Sequence, residues 1–97
     1  MRTVADIEAL FDKHSKDFLK FKKVEHKLSL KPHLHAMMLL DSLVPGKGDL
    51  IVAAARDNVY LNYTLEQLAS SAITEEQILD LVRAGVEHED GRLLLTV

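Results

Sequence analysis

The sequence predicts an α+β fold: one small domain over residues 1–97, with helices packed on a small antiparallel sheet. Three observations point there. The 97 residues, 47% of them hydrophobic, suffice for one core and are too few for two. Thr64-Leu65-Glu66-Gln67 and Thr74-Glu75-Glu76-Gln77 repeat the capping box, in which Thr hydroxyl and Gln amide each accept a backbone N–H of the other, so two helices start in succession. Asp90-Gly91 then sits between Val86-Glu87-His88-Glu89 and Arg92-Leu93-Leu94-Leu95-Thr96-Val97, a strong hairpin turn.

From the N-terminus, Thr3 can cap a first helix, with Asp6 and Glu8 against the positive end of its dipole. Val4, Ile7, Leu10, Phe11 and His14 form one face, and the helix ends near Ser15. In residues 17–30, DFLKFKKVEHKLSL, Leu19 and Phe21 alternate with Lys20 and Lys22, and Val24, His26, Leu28 and Leu30 alternate in a shifted phase. This predicts a basic strand with a bulge near Lys22-Lys23. A helix through Phe18, Phe21, Val24 and Leu28 is spaced almost as well. Pro32 suits the first turn of a helix running through Leu34, Met37, Met38, Leu40, Leu43 and Val44 to a stop at Pro45. Apolar nearly all round, with Asp41 and Ser42 the main polar breaks, it is expected at the centre of the core.

Pro45-Gly46-Lys47-Gly48-Asp49 is a turn by composition. In LIVAAARDNVYLNY two β-rich runs flank Arg56-Asp57-Asn58, giving a hairpin with arms Leu50–Ala55 and Val59–Tyr63. Three consecutive alanines leave open a helix from Asp49 to Arg56 followed by a strand. The two capped helices come next, with Tyr63 set to staple against Leu68 and Ile73 against Ile78, and Gly85 closing the second in the left-handed conformation. Pairing across Asp90-Gly91 sets Glu89 opposite Arg92, His88 opposite Leu93, Glu87 opposite Leu94 and Val86 opposite Leu95. Leu93, Leu95 and Val97 then share one face, and Leu94 lies on the charged one.

Composition excludes several classes. Without cysteine there is no disulfide, thiolate nucleophile, iron–sulfur cluster or cysteine zinc site. No apolar run approaches the roughly 18 residues of a membrane span, and MRTVADIEAL lacks the basic and apolar regions of a signal peptide, so a soluble, cytoplasmic protein is expected. The net charge of −3 conceals a division. Residues 13–31 hold seven lysines against Asp17 and Glu25, and residues 32–97 hold four basic against ten acidic residues. Such polarity serves an anionic partner or gives two solvated surfaces that attract each other within the fold.

From Tyr63 to Val97, a helix at Thr64, a short turn, a helix from Thr74, and Ala84-Gly85-Val86 leading into the Asp90-Gly91 hairpin resemble the C-terminal half of a winged helix-turn-helix domain. The resemblance covers about a third of the chain. It implies that LEQLAS packs against a recognition helix beginning at Thr74 and that the final hairpin is the wing. That helix departs from a DNA reader in charge. With Ile78, Leu81 and Val82 inward, its outer face shows Glu75, Glu76, Gln77, Asp80 and Arg83, and affinity for nucleic acid comes mainly from neutralising phosphates. The basic segment is the better candidate. There Lys16, Lys20, Lys22, Lys23, Lys27 and Lys31 accompany Phe18 and Phe21, a mixture able to join phosphate contact to base stacking.

Catalytic signatures are lacking. His33 and His35 suggest metal ligation, but positions two apart on a helix diverge by about 200°, and a third ligand would have to come from His14, His26, Asp41 or His88. Gly46-Lys47-Gly48 lacks the phosphate-loop pattern, and Ser15, Ser29, Ser42, Ser70 and Ser71 lack a nucleophile elbow. His26 or His88 could pair with a carboxylate, as almost any histidine can. No enzyme, cofactor, metal or small-molecule substrate is inferred. The sequence is similar in general character to small accessory proteins of bacteria and prophages. It predicts a non-catalytic interaction module that binds another protein or itself, with Leu94, Glu87 and Arg92 on the last hairpin as the candidate interface and the final strand as an open edge. The alternative is a winged-helix-like nucleic-acid-binding regulator that contacts phosphates through the lysines of residues 13–31.

Overall fold

The computed structural model describes residues 3–25, 27–45, 51–55 and 57–96. Their order is α1 (Val4–Lys13), 3-10 turns at Ser15–Asp17 and Phe21–Lys23, α2 (Pro32–Leu43), β1 (Ile51–Ala55), β2 (Asn58–Thr64), α3 (Leu65–Ser70), α4 (Glu75–Arg83), β3 (Val86–Glu89) and β4 (Arg92–Thr96). The α+β reading holds. The Gly46–Asp49 turn, Leu50, Arg56, His26 and Val97 lie outside the described residues. No described helix is long and apolar enough to cross a membrane.

Local chemistry sets the helix starts. Thr64 Oγ1 accepts from Gln67 N–H at 3.2 Å while Gln67 Oε1 accepts from Thr64 N–H at 2.9 Å, and Thr74 and Gln77 repeat this at 3.1 and 2.9 Å. Thr3 and Asp6 form a third such box, with Asp6 in the reciprocal role beyond its service to the dipole. The staple residues Tyr63, Leu68, Ile73 and Ile78 are all buried. Gly85 ends α4 at φ +101°. Its carbonyl accepts from Thr96 N–H at 2.9 Å, which ties the end of α4 to β4.

The sheet is antiparallel in the order β1-β2-β4-β3. The β3–β4 register is the one read across Asp90-Gly91, with Glu87 opposite Leu94 and Val86 opposite Leu95. On its other side β4 pairs with β2, setting Leu94 beside Tyr60 and Leu95 beside Val59. The expected open edge at the last strand is therefore corrected: β4 is an inner strand. Leu93, Leu94 and Leu95 are all buried, Leu93 and Leu95 in the main cluster and Leu94 between its paired neighbours Tyr60 and Glu87. Among the described residues the edges are β1 and β3. Helix α1 packs on α3 and α4, and Ile7, Phe11, Leu65, Leu68, Ile78 and Leu81 meet Leu93 and Leu95 in the main cluster.

Two expectations fail. The described residues of 17–30 form no strand. Leu19 and Phe21, which a strand would put on one face, are 54% and 9% exposed. The buried pair is instead Phe21 and Val24, three apart, the period of the 3-10 turn that carries them. Leu19 takes φ +63° and donates its N–H to Val82 O at 3.2 Å, so the segment bends across the end of α4. The rival helical spacing had the right phase for Phe21 and Val24, but no continuous helix forms. Nor does α2 occupy the centre. It buries the stripe His35, Ala36, Leu39 and Leu40 beside α3 and α4, and leaves Leu34 and Met38 exposed.

Candidate functional site

The outer face of α4 is the first surface to test, and most of its side chains are engaged by neighbouring elements. Ile78, Leu81 and Val82 point inward as expected. On the other side, Glu75 Oε2 accepts from Lys13 Nζ at 3.0 Å and lies 2.8 Å from His14 Nε2, both at the end of α1. The hydrogen bond from Lys13, with that from His14, holds the Glu75 carboxyl below the usual carboxylate range. Gln77 is committed to its cap. Asp80 shares a cleft with His35 of α2. Arg83 Nη1 donates to Lys23 O at 3.3 Å, and Arg83 Nε stands 3.9 Å from Asp17 Oδ1. Of the five outer residues only Glu76 is exposed. Residues from α1, the basic segment and α2 would have to leave before this helix entered a major groove about 12 Å wide.

The lysines divide into two groups. Lys27 Nζ turns inward, donating to Val24 O at 2.8 Å and lying 5.3 Å from the Phe21 ring centre. Lys16, Lys20, Lys22, Lys23 and Lys31 are exposed, and none of them joins a salt bridge among the described residues. The rings do not accompany them: Phe21 is buried and Phe18 half-buried. The surface has charge for phosphates without an aromatic platform for bases.

His35 is buried, and its Nδ1 accepts from Leu28 N–H at 3.0 Å. A backbone N–H can only donate, so the ring proton sits on Nε2, which has no hydrogen-bond partner among the described residues. A metal ligand needs a bare nitrogen lone pair, and this tautomer has none to offer. No group of three His, Asp or Glu side chains able to hold a metal occurs among the described residues. The cleft beside His35, about 320 Å³, is lined by Leu28, Leu39, Thr74, Glu76, Gln77 and Asp80. Burial pushes the His35 pKa down, with Asp80 opposing. His88 Nε2 lies 3.3 Å from Asp12 Oδ1, and its ring stands 5.6 Å from Phe11. With His14–Glu75, this pair pins α1 against β3 and α4.

At the final hairpin Glu87 and Arg92 are exposed, but Leu94 is 6% exposed and stands outside the main apolar cluster, between Tyr60 and Glu87 in the sheet. Exposed aliphatics lie elsewhere. Leu28, Leu30, Leu34 and Met38 are 49%, 87%, 47% and 43% exposed along one stretch of chain. On β1, Ile51 and Val52 are 44% and 52% exposed. Comparison with protein-family models, curated proteins and solved structures finds no match. The candidate site therefore rests on these surfaces alone. The expectation of α2 at the centre of the core would have buried Leu34 and Met38. The available signal was the i, i+4 spacing of Leu34 and Met38, a stripe separate from His35 and Leu39.

Proposed function

We propose that the chain is a non-catalytic interaction module acting in the cytoplasm, which binds another protein or itself. The observation that carries this reading is the pair Leu34 and Met38, exposed one turn apart on α2 after an exposed Leu30 in its approach, while the opposite stripe of the helix is buried. Single exposed aliphatics are common on protein surfaces, but an exposed pair at i, i+4 on a helix, with Leu30 exposed just before it, offers apolar surface of the kind a partner covers. The resemblance in character to bacterial and prophage accessory proteins agrees with such a role. Leu94, Glu87 and Arg92 contribute less than first expected, because the leucine has little surface left to offer a partner.

The test is capture from host extract at low and moderate salt with the immobilised chain and its Leu30→Asp/Leu34→Asp variant. A protein retained stoichiometrically by the wild-type chain at moderate salt, and lost from the folded variant, is the expected result. Equal retention by both would sink this apolar surface as the contact.

A nucleic-acid-binding regulator is the second reading. Two observations favour it. Five exposed lysines share one segment, and β4 lies between β2 and β3 around the α3–α4 pair, an order compatible with the winged helix-turn-helix. The engagement of the α4 side chains weighs against it. In this reading DNA or RNA affinity falls steeply with salt and collapses in Lys20→Glu/Lys22→Glu/Lys23→Glu. Salt-independent binding, or none, would remove it.

A further inference from the structure

Helix α2 buries His35, Ala36, Leu39 and Leu40 and turns its opposite face to solvent. Along that face run Lys31, Leu34, Met38 and Asp41, all four exposed. Their spacing of three, four and three is that of the seam between two packed helices, in which successive layers of one meet successive layers of the other. The apolar pair lies in the middle and a charge closes each end: Lys31 is the N-cap and Asp41 lies in the last turn. Neither charge joins a salt bridge among the described residues. Ala36 is the midpoint of both pairs, with Leu34 and Met38 two residues to either side and Lys31 and Asp41 five.

We propose that this face of α2 pairs antiparallel with α2 of a second copy, about a twofold axis at the level of Ala36. The order of charges selects the occupant. In the antiparallel pair Leu34 meets the partner subunit's Met38 and Lys31 meets the partner subunit's Asp41, and symmetry repeats both contacts. Each apolar side chain is covered by an apolar one, each charge by its opposite. A parallel pair would set Lys31 against the partner subunit's Lys31 and Asp41 against the partner subunit's Asp41, so the same two charges also fix the direction. An anionic lipid surface fits the face less well, because Asp41 would meet headgroups of its own sign. The inference rests on the interaction-module reading and names the partner for the same face. Helix α2 has 12 residues, about three turns. Such a contact is smaller than a standard interface of about 1,600 Å², so the dimer is a weak, concentration-dependent one.

Sedimentation equilibrium over rising concentration tests this with the whole chain. The expected mass rises from the 10.9 kDa monomer toward twice that value. Lys31→Glu and Asp41→Lys each set like charges in both outer layers, and each stays monomeric. An equimolar mixture of the two, or the double variant Lys31→Glu/Asp41→Lys, puts opposite charges back in both layers and dimerises again. Both positions are exposed, and an acidic residue at the start of a helix or a basic one in its last turn suits the helix dipole, so these variants keep their circular dichroism spectrum. A wild-type chain monomeric up to about 1 mM, the limit of weak association, overturns the proposal. So does a dimer indifferent to Lys31→Glu and Asp41→Lys, or a mixture and a double variant that remain monomeric. Capture of a different protein that depends on Leu30 and Leu34, by a chain that is itself monomeric, would keep the interaction-module reading and sink the dimer alone.

Discussion

Gly85 and Gly91 both adopt positive φ, yet their neighbourhoods separate them. A Cβ on Gly91 would meet nothing within 4 Å, whereas one on Gly85 would fall 2.9 Å from Leu19 Cδ2 and 3.2 Å from Thr96 O. Gly91→Ala is expected to cost about 1 kcal/mol of left-handed strain, and Gly85→Ala about 3 kcal/mol once crowding is added. Urea unfolding of the two variants checks the difference, and equal losses would contradict the close packing at Gly85. His35 gives a pH signature. Its folded pKa lies below the ordinary 6.5 because burial disfavours the charged ring. As pH falls through 6.5 the unfolded chain takes up the proton before the folded one does. The unfolded state then binds more protons, and stability declines down to the lower folded pKa. His35→Asn keeps an acceptor for Leu28 N–H but removes the titration. Its stability should lack the part of the decline below pH 6.5 that the wild-type chain shows, and matching pH profiles would exclude His35 as the source.

At the scale of elements, the capped helices and the inner strand make the sharpest statements. Thr74→Ala removes the side-chain acceptor for Gln77 N–H, while the backbone N–H at position 74 still donates to Gln77 Oε1, an expected loss of about 1 kcal/mol. Thr74→Ser should recover most of it in the same denaturation experiment. In β4, Leu94→Glu puts a carboxylate where the side chain is 6% exposed. The expected cost is about 3 kcal/mol, so any loss of association in that variant reports unfolding as well as contact. Leu94→Glu matching the wild-type melting temperature would contradict the burial. The two strand–strand seams of β4 also show why sequence placed this hairpin well and its edge wrongly. The turn at Asp90-Gly91 sets the β3–β4 register by itself, but pairing with β2 depends on partners far along the chain, such as Tyr60 for Leu94 and Thr64 for Arg92.

In the whole molecule, the short α3–α4 pair is wrapped from three sides, by α1, by the bends of residues 15–24 and by one stripe of α2. These contacts remove α4 from the candidate surfaces and leave the exposed lysines and the exposed face of α2 with Leu34 and Met38. The sequence alone determined the α+β class, the starts of α1, α3 and α4, the end of α4 at Gly85 and the last hairpin's register. Each of these is held by contacts within a few residues: a side chain to a backbone N–H three positions away, a glycine at positive φ, a two-residue turn. Only the tertiary structure decided the course of residues 17–30, the side on which α2 is buried and the inner position of β4. Those follow from which distant surface covers Phe21, Val24 and His35 and which strand pairs with β4, and the apolar spacing in residues 17–30 fits a period of two nearly as well as one of three or four.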